Sequence, residues 1–433
     1  MNALVLALCL ALADGGAEPG AEPGADSVAE PGAEPVAADL VATSPGPRSP
    51  SPTSLPSPWR APDTGSDTGV FLGAQVFSAF ELPLTPLQQD PWSRFTLERA
   101  EVGGGFVWER SLHAVLRLEA IRSASPRSAF GIDRNSLLPR FRLAWAGATP
   151  RWTVFGARVA LDLRAGLVPE PWLERLEGAS ATRGLVALPG ERARLIGTSD
   201  LGATASLRLN EGLLDVVLSL TNGEGNNEVE QNAGKNLQAI VGTTPVVVDV
   251  LGEPLSLSAS AGWRDGSVGL ASVRNHRGLL ALTASHPWFH VGAESVWALG
   301  VDGRPDRELL VVGAWADAPV VPGWLGVVVR GDVVTDLLPA ANHATATEVT
   351  GGVFSDLGLA ETTGRQAGQL LRRLRLYATT TWRMADAAAA PVGAVDAATA
   401  WRVALTVEVT GITDVFDPTH TRPSTALPPR DEP

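Results

Sequence analysis

The run Trp401-Arg402-Val403-Ala404-Leu405-Thr406-Val407-Glu408-Val409-Thr410 alternates between apolar residues and polar or small ones. A pleated strand sends successive side chains to opposite faces, so this run has one apolar wall and one wet wall. The pattern recurs at 254–264, where Leu255, Leu257, Ala259, Ala261 and Trp263 oppose Ser256, Ser258, Ser260, Gly262 and Arg264. It recurs at 373–383, where Leu374, Leu376, Ala378, Thr380 and Trp382 oppose Arg373, Arg375, Tyr377, Thr379, Thr381 and Arg383. The same reading predicts strands near 70–81, 94–107, 111–123, 138–147, 151–165, 201–210, 213–221, 236–248, 254–264, 277–286, 288–299, 307–317, 324–335, 346–356, 371–384 and 399–411. So many amphipathic strands without a helical core predict an all-β chain, a transmembrane antiparallel β-barrel of about 16 strands.

The punctuation between strands sorts into two kinds. Asn210-Glu211-Gly212 and Thr149-Pro150 are short enough for tight turns, whereas 123–135, 169–200, 221–235 and 385–399 are long and irregular. Val102-Gly103-Gly104-Gly105-Phe106 precedes no phosphate-binding helix and is expected to kink a strand. Trp145, Trp152, Trp263, Trp288, Trp297, Trp315, Trp324, Trp382 and Trp401 fall near predicted strand ends. Interfacial girdles put aromatic rings there, although a soluble β-core also uses Trp, and the sequence leaves both readings open.

Composition narrows the classes. No stretch of 18 apolar residues follows the leader, so no ordinary transmembrane helix is expected, and strands crossing a membrane must then close their hydrogen bonds as a barrel. The net charge of −13 argues against nucleic acid as a partner. Lys235 is the only lysine, so the cationic chemistry is arginine chemistry. The single cysteine, Cys9, lies in the leader, which leaves the body without a disulfide or a Cys-ligated metal.

Residues 1–13 are expected to form a signal peptide, with Ala11-Leu12-Ala13 as its small-x-small cleavage pattern, though no Lys or Arg precedes the apolar stretch. Residues 14–68 repeat Ala-Glu-Pro-Gly and then turn Ser/Pro-rich, the composition of a disordered spacer. Residues 69–416 form the expected barrel and 417–433 a disordered tail.

Four segments, in order, carry a family resemblance. Arg94-Phe95-Thr96-Leu97-Glu98-Arg99-Ala100-Glu101-Val102 resembles an early strand of the phosphate-selective porin O and P family, with Arg99-Ala100 at its Arg-Ala. Leu163-Arg164-Ala165-Gly166-Leu167-Val168-Pro169-Glu170-Pro171 is similar to its strand running from a Gly into a Pro-bearing turn, followed here by Glu174, Leu176 and Glu177. Leu218-Ser219-Leu220-Thr221-Asn222-Gly223-Glu224-Gly225 resembles the strand ending in Asn-Gly-Glu-Gly, continued by Asn226, Asn232 and Lys235. The C-terminal strands match in character only. The resemblance implies an outer-membrane porin of a Gram-negative bacterium, assembled as a homotrimer, with phosphate as a possible solute. Two departures stand out. The chain continues past Phe416 instead of ending on an aromatic, and it has one lysine where the family uses a lysine cluster.

With the apolar wall toward lipid, the opposite parity faces the lumen. This assigns Arg117, Arg140, Arg142, Arg158, Arg164, Arg208, Arg264, Arg330, Arg373, Arg375, Arg383 and Arg402 as pore-lining, together with His113, Glu119, Asp162, Asp332 and Glu408. Charge on the lipid face would cost about 2–4 kcal/mol at the midplane. These arginines either pass anions, since guanidinium forks onto carboxylate or phosphate oxygens, or pair with the acids to brace the wall. The longest strand-free piece, 169–200, is the expected constriction, with Glu174, Arg175, Glu177, Arg183, Arg192 and Arg194 as its charged residues, alongside Glu191.

No catalytic residue, metal site or cofactor is assigned. Pro287 interrupts the His286/His290 spacing, so a turn is expected there rather than a metal-binding helix. Glu224, Asn226, Asn227, Glu228 and Glu230 lack the ordered ligand pattern of a calcium loop. The sequence therefore points to an ion- or solute-passing porin rather than an enzyme. A non-channel surface protein, structural or adhesive, and an outer-membrane barrel enzyme are the rivals.

Overall fold

In a computed structural model, the described residues are 69–83, 94–109, 111–122, 137–177, 187–210, 213–223, 234–243, 246–250, 252–267, 273–321, 324–337, 345–356, 373–385 and 400–416. The leader, spacer and tail, Arg183, and the side chains of Glu177, Arg373, Arg402 and Glu408 lie outside that description.

Eighteen strands form one antiparallel sheet. They are β1 (Gly69–Pro83), β2 (Arg94–Trp108), β3 (Leu112–Arg122), β4 (Leu137–Ala148), β5 (Arg151–Val154), β6 (Ala157–Pro169), β7 (Ser199–Leu209), β8 (Leu214–Thr221) and β9 (Asn236–Gly242). There follow β10 (Val246–Val250), β11 (Glu253–Ser267), β12 (Arg274–His286), β13 (Phe289–Leu299), β14 (Glu308–Val321), β15 (Leu325–Asp336), β16 (Thr345–Asp356), β17 (Arg373–Ala385) and β18 (Ala400–Phe416). Two short helices, α1 (Pro171–Glu177) and α2 (Pro189–Arg192), lie between β6 and β7.

The sheet closes. β1 pairs with β2 on one side and with β18 on the other, Val76 facing both Ala100 and Val409. β4 and β5 both pair with β6, and β9 and β10 both pair with β11, so each couple is one interrupted stave. The ring therefore has 16 staves, the number the alternation predicts.

Two local expectations fail. Thr149-Pro150 is not a turn but the break inside the β4/β5 stave, and pairing resumes across it, with Leu161 N donating to Pro150 O at 3.1 Å. The hairpin turns instead at Phe155-Gly156, where φ is 49° and 81°. Two positive φ values match the twist of a tight two-residue hairpin, which explains why 151–165 is two strands rather than one. The Gly103–Gly105 run does not kink β2, which stays in register with β1 and β3 through it.

The parity of the outer face is plain from its exposed side chains, among them Leu72, Val102, Leu116, Leu163, Leu218, Leu237, Leu280, Val312 and Val329. Exposed aromatics stand at both ends of this apolar band. Trp108, Trp152, Phe155, Trp288 and Trp324 sit at the rim of short turns, where Gly69 and Phe416 also lie. Phe95, Phe141 and Trp263 sit toward the other rim, and Trp263 stacks on Trp297 at 5.7 Å between centroids. The nine steps from residue 288 to residue 297, at ~3.3 Å each and a tilt of about 40°, span ~23 Å, close to the ~25 Å band of membrane barrels. Trp145 and Trp315 depart from the girdle. Trp145 faces inward beside His113, and Trp315 is buried inside the ring, where the missing side chain of Gly292 leaves room for its indole.

Candidate functional site

The described parts of the segment, 170–177 and 187–198, do not project from the rim but fold back against the inner wall. Their side chains meet inward positions of β8, β9 and β11 to β16, the parity opposite to the exposed apolar residues. Trp172, Leu173 and Leu176 of α1, with Leu188, Leu195 and Ile196, pack on Ile240, Leu279, Ala281, Val296, Ala298, Leu309, Val311, Trp315 and Val334. Fully burying a large apolar side chain is worth roughly 1.5–3 kcal/mol, so this core holds the segment firmly.

Polar contacts fix its register. Trp172 Nε1 donates to Glu294 Oε1 at 2.6 Å, and Gly190 N donates to Glu294 Oε2 at 3.1 Å. Arg175 Nη1 reaches Asp215 at 2.8 Å, its Nη2 donates to the Thr243 carbonyl at 2.8 Å, and its Nε donates to Ser260 Oγ. The break after Gly242 is what leaves that carbonyl available, and Gly242 has no side chain to displace the guanidinium. Farther along, Arg192 pairs with Asp332 and, at 2.6 Å, with Glu348. On the return path the Leu195 carbonyl accepts from Arg264 and Arg277, each at 3.2 Å. Glu170 N donates to Thr198 O at 3.1 Å, which joins the two feet of the segment. Glu170 itself is buried, and burial pushes its carboxyl up, aided by Asp200 and opposed by Arg264 at 3.9 Å.

Most of the predicted pore-lining arginines whose side chains are described stand beside carboxylates. Arg117 and Arg142 both bind Glu101, and Arg140 reaches Glu119 at 2.7 Å. Arg164 bridges Asp162 and Glu174, each at 2.7 Å, lies 4.7 Å over Trp145, and shares Asp162 with His113 at 3.2 Å. Arg330 pairs with Asp332 at 2.8 Å, and Arg383 donates to Glu348 at 2.7 Å. Arg208 faces Asp215 across the β7–β8 pair. Arg375 lies 4.1 Å over the Phe354 ring and stands opposite Glu408 across the β17–β18 pair. Arg158 and Arg194 are exposed. The site thus brings together Glu174, Arg175 and Arg192 with the wall.

Several anchors escape a reading by charge lists. Glu294, Arg277, Asp215, Glu170 and Glu101 are inward and hold or face the segment or the arginines. Alternation alone marks Arg277, at the parity of Asn275 and Leu279, both buried. Pro287-Trp288 is a turn as expected, with Trp288 N donating to His286 Nδ1 at 3.3 Å, and His290 lies 3.0 Å from Asp317.

No family model and no curated protein matches the sequence. Solved structures do match in fold. OmpF of Salmonella typhi, in complex with daunomycin, is similar at 11% identity with a TM-score of 0.52, over 80% of this chain and 98% of that one. The chain folds as an outer-membrane β-barrel. The barrel is likewise similar to in-vitro folded OmpT, an outer membrane protein of Vibrio cholerae in its trimer form, at 12% identity with a TM-score of 0.50, over 79% and 99% of the two chains. At these identities the likeness is one of fold alone.

Proposed function

We propose that this barrel is a porin of a Gram-negative outer membrane, passing small polar or anionic solutes by passive diffusion through a lumen narrowed by 170–198. The observation that carries the reading is the inward segment itself, anchored by Glu294, Arg175 and Arg192 inside a closed wall that bears charge on its inner face. Guanidinium groups there attract anions, while their carboxylate partners hold the attraction down, so the expected preference for anions is weak. Phosphate is the solute suggested by the resemblance of the strands at 94–102, 163–171 and 218–225 to the phosphate-selective porins. That resemblance also supports a homotrimer, a form that the OmpT structure takes. No group in the lumen is given a catalytic role.

The decisive measurement is conductance after refolding into a planar bilayer, in chloride, in phosphate and in potassium salts of large anions. Stepwise openings are expected. Their absence from protein that keeps heat-modifiable β-structure would sink the porin reading and favour a structural or adhesive surface protein. An Arg373/Arg375 double substitution that leaves the anion/cation permeability ratio unchanged would refute the arginine path.

A further inference from the structure

The β9/β10 stave has neighbours on both sides over its first half only. From Asn236 to Gly242 it pairs with β8 on one edge, and β11 flanks its other edge. β8 begins at Leu214, and its last partner on the stave is Gly242, opposite Asp215. From Val246 to Val250 the stave keeps β11 alone, Val246 facing Leu257 and Val250 facing Glu253. Among the described residues, no strand pairs with the other edge of β10. All five of its residues are exposed, and four are valine.

Proteins ordinarily guard such an edge with a charge, a bulge or a covering loop, because its free N–H and C=O groups template another strand. The same rim holds a contrast. β5 also has one partner, β6, and is exposed throughout, but it is shorter and opens on Arg151. The only charged side chain of β10 is Asp249, and its carboxylate turns back to accept from Gly252 N at 2.9 Å. Among the described residues, the valine edge is thus left without a guarding charge.

We propose that Val246–Val250 is a docking edge for an extended strand of another polypeptide, on the side of the membrane where the short turns lie. The chemistry selects the occupant. Alternating N–H and C=O groups are matched by a second backbone, whereas an acyl chain offers neither donor nor acceptor. Valines on both faces suit apolar residues in the incoming strand, and the acids Asp249 and Glu253 suit basic ones. A second copy of this chain would bring the same acids against them.

The test uses the full chain in detergent and a fluorescein-labelled peptide alternating valine with lysine. A matched peptide carries N-methyl groups along one edge, which keeps charge and apolar surface while removing the hydrogen bonds. Saturable binding by fluorescence anisotropy is expected, weakened by about tenfold or more by N-methylation, since two or three hydrogen bonds are lost. A Val247→Lys/Val248→Lys double variant, whose folding is checked by heat-modifiable mobility, is expected to lose binding to a similar extent. Equal binding of both peptides, no saturable binding, or full binding to the double variant would each overturn the proposal. Self-association that the double variant abolishes would give the edge to a second copy and overturn it too. Bilayer conductance is unaffected by any of these results, so the porin reading stands or falls separately.

Discussion

Two stretches of the inner wall face the same interior and are built differently. Over β12 to β14 the inward positions include Leu279, Ala281, Val296, Ala298, Leu309, Val311 and Trp315, all buried beneath 170–198. Over β2 to β6 they include Glu101, Arg117, Glu119, Arg142, Asp162 and Arg164, tied to one another in ion pairs. Parity therefore fixes which face of a strand is inside, while the cover decides whether that inside is wet. A wall that is apolar over these strands is a binding surface for the segment that covers it. Charge on the other stretch is held in ion pairs.

The largest effect is expected from attacking the apolar half. Trp172→Ala removes the indole at the centre of the inward core and should cost about 3–5 kcal/mol, the usual range for deleting a buried aromatic. The temperature at which the barrel loses its heat-modifiable mobility should fall and single-channel conductance should rise as the segment loosens. Unchanged conductance alongside a lowered transition would mean that the segment does not narrow the path.

Glu294→Leu attacks the polar anchor inside that same apolar region. It strips the Trp172 indole N–H and the Gly190 N–H of their acceptor, and each orphaned buried donor costs about 1–3 kcal/mol. Glu294→Gln keeps one acceptor and should lie between this variant and the wild type. The same heat-modifiability series ranks the three. Equal behaviour of Gln and Leu would assign the cost to lost charge instead of lost hydrogen bonds.

Where the segment meets the charged positions of β15 and β16, the effects should be smaller and electrostatic. Arg192→Gln leaves Asp332 its partner Arg330 and Glu348 its partner Arg383, so the wall keeps its shape while one positive charge goes. A unit charge ~8 Å from a passing ion in water is worth about 0.5 kcal/mol, favourable to anions and unfavourable to cations, so its loss shifts the permeability ratio by up to about fivefold toward cations. Reversal potentials in a salt gradient measure that shift. Their constancy would show that ions pass away from Arg192.

How much of this was legible in the residues follows the same division. The ring of 16 staves is readable because alternation is a local property, whereas the roles given to the arginines and to the long piece after β6 rest on the proposal. The hairpin at Phe155-Gly156 was hidden because Pro150, a stronger punctuation mark in sequence, draws the turn to itself, although one missing donor only interrupts a stave. The apolar inner wall had a signal in Leu309-Leu310-Val311-Val312, where four successive apolar residues make both faces apolar. Such a strand needs protein on its inner side, but nothing local says which segment supplies it. Glu294 pairs with Trp172 and Gly190, 122 and 104 positions away, distances over which spacing carries no information.

The smallest effect concerns the feet of the segment, where the two halves meet. Burial raises the Glu170 carboxyl above the ordinary range, so the folded barrel holds its proton more tightly than the unfolded chain does. The stabilisation that follows is present in full below the ordinary carboxylate pKa and is lost as pH rises through the raised value. Heat-modifiability should therefore be greatest in mild acid and decline above the usual carboxylate range, with Arg264 at 3.9 Å limiting the decline. Glu170→Gln removes the titrating proton and should flatten that part of the profile while leaving the Glu170 backbone bond to Thr198 in place. If the profile keeps its slope in the variant, the pH dependence belongs to another carboxylate and the feet are not where protons act.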